Sequence, residues 1–159
     1  MRRTLIFICL GLSLVGGLWW WNSPSHPKPV NASIYETDMV AHLVRELLTE
    51  LPEPVPQICF LAFGDGETPP SRPFIARFSG SRPAVRSCDS AVMPPVNKRF
   101  EISTGKPGLM IHVVQFKQII SGTFDVLVSF PHLPEGRNRF TYRLYNVGGE
   151  WKIKSRTAA

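Results

Sequence analysis

The sequence predicts an α+β fold: an N-terminal transmembrane helix, an amphipathic helix packed on an antiparallel sheet of four to five strands, and one short extra helix. Three observations carry this expectation. An apolar run from Leu5 to Trp21 follows two arginines, apolar residues recur at helical spacing from Val40 to Leu51, and the last third alternates apolar and polar residues between glycine-bearing turns. With 159 residues, of which 19% are charged and 43% hydrophobic, the chain has room for one domain plus a targeting element and lies outside the charged, core-poor disordered class.

Residues 1–21 read as a signal anchor. The run from Leu5 to Trp21 is interrupted only by Gly11, Ser13, Gly16 and Gly17, and as a helix it just reaches the roughly 17 to 25 residues that crossing the hydrocarbon layer requires. A cleaved signal would show a shorter apolar region and an A-x-A site, whereas here Trp19, Trp20 and Trp21 close the run and Asn-Ser-Pro-Ser follows. Retention is therefore favoured over cleavage and secretion. Residues 4–21 would hold the chain at the membrane, and the flank of Arg2 and Arg3 predicts a single-pass protein with a cytoplasmic N-terminus and an extracytoplasmic domain. Residues 22–32, with prolines at 24, 27 and 29, form a stalk, and residues 33–159 form the domain. On the exported side Cys59 and Cys88 make an even count in a disulfide-permissive compartment, so a bridge between them is expected.

Within the domain, Ser33 and Glu36 read as a capping box opening a helix over 33–51. Its apolar stripe is Val40, Leu43, Val44, Leu47, Leu48 and Leu51, and prolines at 52, 54 and 56 end it. Gln57 to Phe63 is a buried strand and Gly64 to Glu67 the turn that leaves it. Ser71 to Gly80, with a capping serine, an early proline and a closing glycine, makes the second, short helix. Lys98 to Ser103 is an edge strand. A three-residue turn at 121–123 sets Ile120, Gln118, Phe116 and Val114 on the same face as Phe124, Val126, Val128 and Phe130. The Gly148-Gly149 pair closes a hairpin that places Leu144 opposite Ile153 and Asn146 opposite Trp151.

This order of elements, closing on Tyr145-Asn-Val-Gly-Gly-Glu-Trp-Lys-Ile, resembles the nuclear-transport-factor-2-like and cystatin-like folds over residues 33 to 156. The resemblance implies a curved sheet wrapped around the long helix. It also implies that an enzyme of this kind would place a histidine or aspartate inside the cone as general base, which makes His112 the candidate, with Gln118, Tyr142 and Asn146 as the other polar residues of a ligand pocket. No carboxylate shares that face, and the sequence contains no nucleophile elbow, phosphate loop or zinc-protease motif. No catalytic residue, metal ligand or cofactor is therefore assigned.

Charge is the remaining signal, with a net charge of +6 spread unevenly along the chain. Acidic residues concentrate between Glu36 and Glu67, while Arg139, Arg143, Lys152, Lys154 and Arg156 are expected on the outer face of the last hairpin, opposite Phe140, Tyr142 and Ile153. Such a face suits an acidic protein partner or anionic lipid. Nucleic acid is disfavoured, because only Tyr145 is placed for base stacking. Three functions follow in order of preference: a membrane-anchored interaction or scaffold module, a small-ligand-binding cone, and an enzyme using His112.

Overall fold

The computed structural model describes residues 32–51, 55–92, 99–101, 103–131 and 138–159. The first helix, α1 (Asp38–Thr49), is capped by Thr37, whose Oγ1 accepts from the Val40 amide at 3.2 Å. It therefore begins later than the Ser33–Glu36 capping box suggests. Glu36 is used elsewhere: its carboxylate accepts from the Ser71 amide at 2.6 Å and from the Ser71 hydroxyl at 2.7 Å. Ser71 in turn caps α2 (Arg72–Ala76) through the Phe74 amide, so one glutamate ties the starts of both helices together. The buried stripe of α1 comprises Met39, Val40, Ala41, Leu43, Val44, Leu47 and Leu48.

The strands are β1 (Ile58–Phe63), β2 (Ala84–Ser87), β3 (Ala91–Val92), β4 (Arg99–Glu101), β5 (Pro107–Ile120), β6 (Thr123–Ser129), β7 (Arg139–Val147) and β8 (Glu150–Ala158). Six of them lie in the order β2-β1-β5-β6-β7-β8, and β4 joins β5 while also pairing β3. The predicted antiparallel sheet of four to five strands is corrected here. The protein is mostly sheet, and β1 runs parallel to both of its neighbours, β2 and β5. The physical reason lies in β1 itself. All six residues of Ile-Cys-Phe-Leu-Ala-Phe are buried, and a strand covered on both faces reads as an unbroken apolar run, the pattern of parallel strands with connections over their faces. The connection to β2 passes through α2, as a parallel pair requires a crossover.

The expected membrane placement is corrected as well. Among the described residues no helix is long and apolar enough to cross a membrane. The longest, α1, has 12 residues, about 18 Å at 1.5 Å per residue, and carries Asp38, Arg45 and Glu46 on its exposed side. The expected anchor at residues 1–21 and nearly all of the stalk lie outside the described residues.

Two layers of core sit on the two faces of the sheet. On the helix face, α1 packs with Cys59, Leu61, Phe63, Val85, Ile111, Val113, Val126, Val128, Tyr142 and Leu144. On the outer face at the β1 end, Ile58, Phe60, Ala62, Cys88 and Met110 form a smaller cluster. The predicted Cys59–Cys88 bridge is absent, because strand alternation puts Cys59 on the helix face while Cys88, in the short 3-10 turn after β2, packs in the opposite cluster. The Cys88 Sγ donates to the Glu67 carbonyl at 3.2 Å, and burial pushes the Cys59 thiol up to about 12. Both thiols should resist iodoacetamide at pH 8 in the native protein and label in denaturant without prior reduction. Peptide mass spectrometry checks this, and a linked Cys59–Cys88 peptide from native protein would refute the opposed placement.

Tyr35 fastens the segment before α1 to the helix face of the sheet. Its ring, 6% exposed, stacks on Phe63 at 5.3 Å and meets Phe116 edge-on at 5.3 Å. Its hydroxyl donates to the Val114 carbonyl at 2.9 Å. Val114 lies at a register shift in the β5–β6 ladder, where the extra residue drops out of the regular pairing. The tyrosine hydroxyl supplies the buried bulge carbonyl with a donor. Tyr35→Phe keeps the ring contacts and should cost about 1–3 kcal/mol, the range for leaving a buried polar group unsatisfied. A urea midpoint unchanged from wild type would contradict that role.

Candidate functional site

The chemistry available on the surface is decided by three register shifts, two in the β5–β6 ladder and one in the β7–β8 ladder. The first, at Val114, changes which residues of β5 face α1. Before it, Ile111 and Val113 face the helix while Met110 and His112 pair beside Phe60 and Ala62 on the outer side. After it, Phe116 opposite Val126 and Gln118 opposite Phe124 occupy the helix side. The second leaves Ile119 as an extra residue between the Gln118–Phe124 and Ile120–Thr123 pairs, and the turn closes on two residues, Ser121 and Gly122. As a result Ile120 is 66% exposed rather than inward.

The predicted ligand pocket is not assembled by this arrangement. His112 lies on the outer side of β5, where its Nε2 is 2.5 Å from the Gly64 carbonyl. A carbonyl only accepts, so Nε2 carries the proton and the ring latches β5 to the turn after β1. Tyr142 is on the helix face, 1% exposed, and burial pushes its hydroxyl up to about 12. Gln118 is exposed. The Asn146 Oδ1 accepts from the Gly149 amide at 3.1 Å, within the hairpin turn. His112 therefore lies on the opposite face from Tyr142 and Gln118, and the Asn146 side-chain oxygen is engaged within the hairpin turn. Among the described residues no group of three or more His, Cys, Asp or Glu is arranged to hold a metal ion.

The third shift lies in the β7–β8 ladder. Leu144 faces Ile153 and Arg143 faces Ser155, leaving Lys154 as the extra residue. Beyond that point the alternation reverses, and Arg156 turns to the helix face. Its guanidinium sits 3.8 Å from the Phe140 ring centroid and 3.6 Å from the Glu50 carboxylate at the end of α1. Arg156 therefore leaves the predicted basic face, and Ser155 and Thr157 take its place.

What remains is an open outer face on β5 to β8. It carries Lys117, Arg139, Arg143, Tyr145, Lys152 and Lys154, with Asp125 and Glu150 as its acids. Arg143 grips Asp125 across the strands through Nε to Oδ1 at 2.7 Å and a second N–H to Oδ2 at 2.8 Å. Those bonds hold the Asp125 carboxyl below the usual carboxylate range, with the charges of Arg143 and Lys117 adding to the effect. Two shallow concavities flank this pair. One, of about 280 Å³, is lined by Asp125, Thr141, Arg143, Ser155, Thr157 and Ala158. The other, of about 460 Å³, is lined by Ile119, Ile120, Thr123, Arg143, Tyr145 and Lys154.

No protein-family model matches this chain, and neither a curated protein nor a solved structure matches it significantly. These comparisons neither support nor oppose the resemblance to the nuclear-transport-factor-2-like and cystatin-like folds.

Of the predicted basic residues, Arg139, Arg143, Lys152 and Lys154 share one face and Arg156 does not. Sequence reasoning missed Lys117, Ile119 and Ile120 as members of that face. Lys117 had a usable signal, since it alternates with Phe116 and stands opposite Asp125. The two isoleucines had none, because an apolar pair at a strand end reads as core until the turn length is known.

Proposed function

We propose that this protein is an interaction module that binds an acidic polypeptide segment on the outer face of β5 to β8. One observation carries the reading: this face is open and basic, and none of the ion pairs among the described residues engages Lys117, Lys152 or Lys154. Positive charge in excess of the two acids on the face steers and holds an acidic partner. The concavity beside it offers Ile119, Ile120 and Tyr145 to an apolar side chain of the same partner. An apolar contact rimmed by charge is the usual composition of a protein-binding patch. A reaction centred on His112 is not favoured, since that ring is engaged with the Gly64 carbonyl.

The test is an NMR titration with a Glu-rich peptide containing one leucine, beside a Lys-rich control and anionic lipid vesicles. Shift changes are expected at Tyr145, Lys152, Lys154 and Ile120, weakening in 0.5 M salt. The variant Lys117→Glu, Lys152→Glu, Lys154→Glu should fold normally, since exposed substitutions usually cost within about 0.5 kcal/mol each, and should bind at least about tenfold more weakly. Equal binding of both peptides, binding unaffected by the variant, or binding to vesicles alone would overturn the proposal.

A further inference from the structure

Resting on that reading, the geometry points to a second contact made by the same partner: we propose that a neighbouring segment of it adds to the sheet as an extra strand along β8, presenting alternating acidic and apolar side chains. The strand order ends at β8, so among the described residues its far edge pairs with no strand. In an antiparallel ladder each residue directs its backbone N–H and C=O either toward its partner or away from it. Every second residue of β8 therefore offers a donor and an acceptor to the open side. The strand is 9 residues long, long enough to seat an added strand of ordinary length.

Charge selects what may pair there. On the outer side of this strand stand Lys152 and Lys154, with Glu150 near the turn, and Arg156 lies on the other side beside Glu50. Lysines on an edge strand, and a bulge within it, oppose pairing with a second copy of the same strand. In a self-paired edge, Lys152 and Lys154 would face like charges, and directly opposed like charges destabilise cross-strand pairs. An acidic strand meets the reverse situation. On the helix side, Trp151 and Ile153 are only partly buried and extend the core to the edge, so an added strand would cover them with its own apolar residues. Period-two alternation places both requirements on one segment, with acids over the lysines and apolar groups over Trp151 and Ile153. Main-chain bonds would supply affinity and the alternating side chains specificity, as in other cases of strand addition.

The probe is a blocked eight-residue peptide alternating Glu and Val, titrated into the full chain. Three comparisons accompany it: the same composition with the alternation scrambled, a Lys and Val counterpart, and two versions N-methylated at every second residue, one in each phase. Strand addition predicts slowed amide exchange at alternate residues of β8 and cross-strand contacts from the peptide to Trp151 and Ile153. N-methylation in one phase should weaken binding at least about tenfold while the other phase is tolerated, because only one set of peptide amides faces β8. Peptide binding with unchanged β8 exchange and no phase dependence would overturn strand addition while leaving the acidic-partner reading in place. Failure of every acidic peptide to bind, with the Lys-rich ones binding equally or better, would overturn both.

Discussion

Phe63→Ala is expected to destabilise the protein by about 3–5 kcal/mol, the range for removing a fully buried aromatic side chain. Phe63 has no exposed surface and sits in the middle of a chain of ring contacts crossing the helix face. Phe78 meets Phe74 at 5.6 Å and Phe74 meets Phe63 at 5.5 Å, while Tyr35 links Phe63 to Phe116, which continues to Phe124 and Trp151. Truncation would leave a cavity bounded by α2 and by the residues preceding α1, whose relative placement is set by the Glu36–Ser71 bonds, so little collapse is available to fill it. Because a domain of this size holds only about 5–15 kcal/mol in total, the loss should be visible as partial unfolding at 37 °C. Phe63→Leu retains most of the volume and should cost much less, mainly the ring pairing, about 0.5–1.5 kcal/mol per pair. Urea unfolding followed by far-UV circular dichroism separates the two. A cost below about 1 kcal/mol for Phe63→Ala would show that the ring chain does not hold the helices to the sheet.

Gly108→Ala should be the most damaging small substitution, costing about 1–3 kcal/mol as overpacking in a close-packed interior. Gly108 is in β5, where its neighbours are unusually close. A β carbon there would lie 2.5 Å from Cε2 and 3.0 Å from Cδ2 of Phe60, and 2.9 Å from the Ile58 carbonyl oxygen. Phe60 has no exposed surface and is enclosed with Met110 and Cys88, so its ring cannot swing aside, and the Ile58 carbonyl is strand backbone. Combining Gly108→Ala with Phe60→Leu should relieve part of the strain, giving a double-variant cost below the sum of the singles by at least about 0.5 kcal/mol. Additive costs would show that the ring is not what excludes the methyl group.

Much of the last third was legible in the sequence because local chemistry decides it. Gly148 and Gly149 both adopt positive φ, 61° and 92°, the backbone that a two-residue hairpin turn needs and that other residues resist. That turn sets Leu144 against Ile153 and Asn146 against Trp151. The serine at 71, the proline at 73 and the helical spacing of Val40, Leu43, Val44, Leu47 and Leu48 likewise act through bonds and contacts a few residues long. The Arg143–Asp125 pair was within reach for the same reason, as two period-two strands with a short connection leave few registers to choose from.

The parallel pairing of β1, the separation of Cys59 from Cys88 and the membership of the basic face were settled by tertiary structure. An unbroken apolar strand such as Ile58–Phe63 specifies burial on both sides but not the direction of its neighbours, which depends on where α2 and β5 return to the sheet. The face of a cysteine is fixed only once its element is placed against a particular layer. A single extra residue at Val114 or Lys154 reverses every side chain beyond it, and so moves His112 away from Tyr142 and Arg156 away from Lys152. The sequence by itself determined which residues are apolar, which are charged and where the chain turns, since each is a property of a few neighbouring side chains. Which charges stand together on one open face was decided only when the strands were paired, because a bulge costs little locally and its position depends on long-range partners such as the Tyr35 hydroxyl on the Val114 carbonyl.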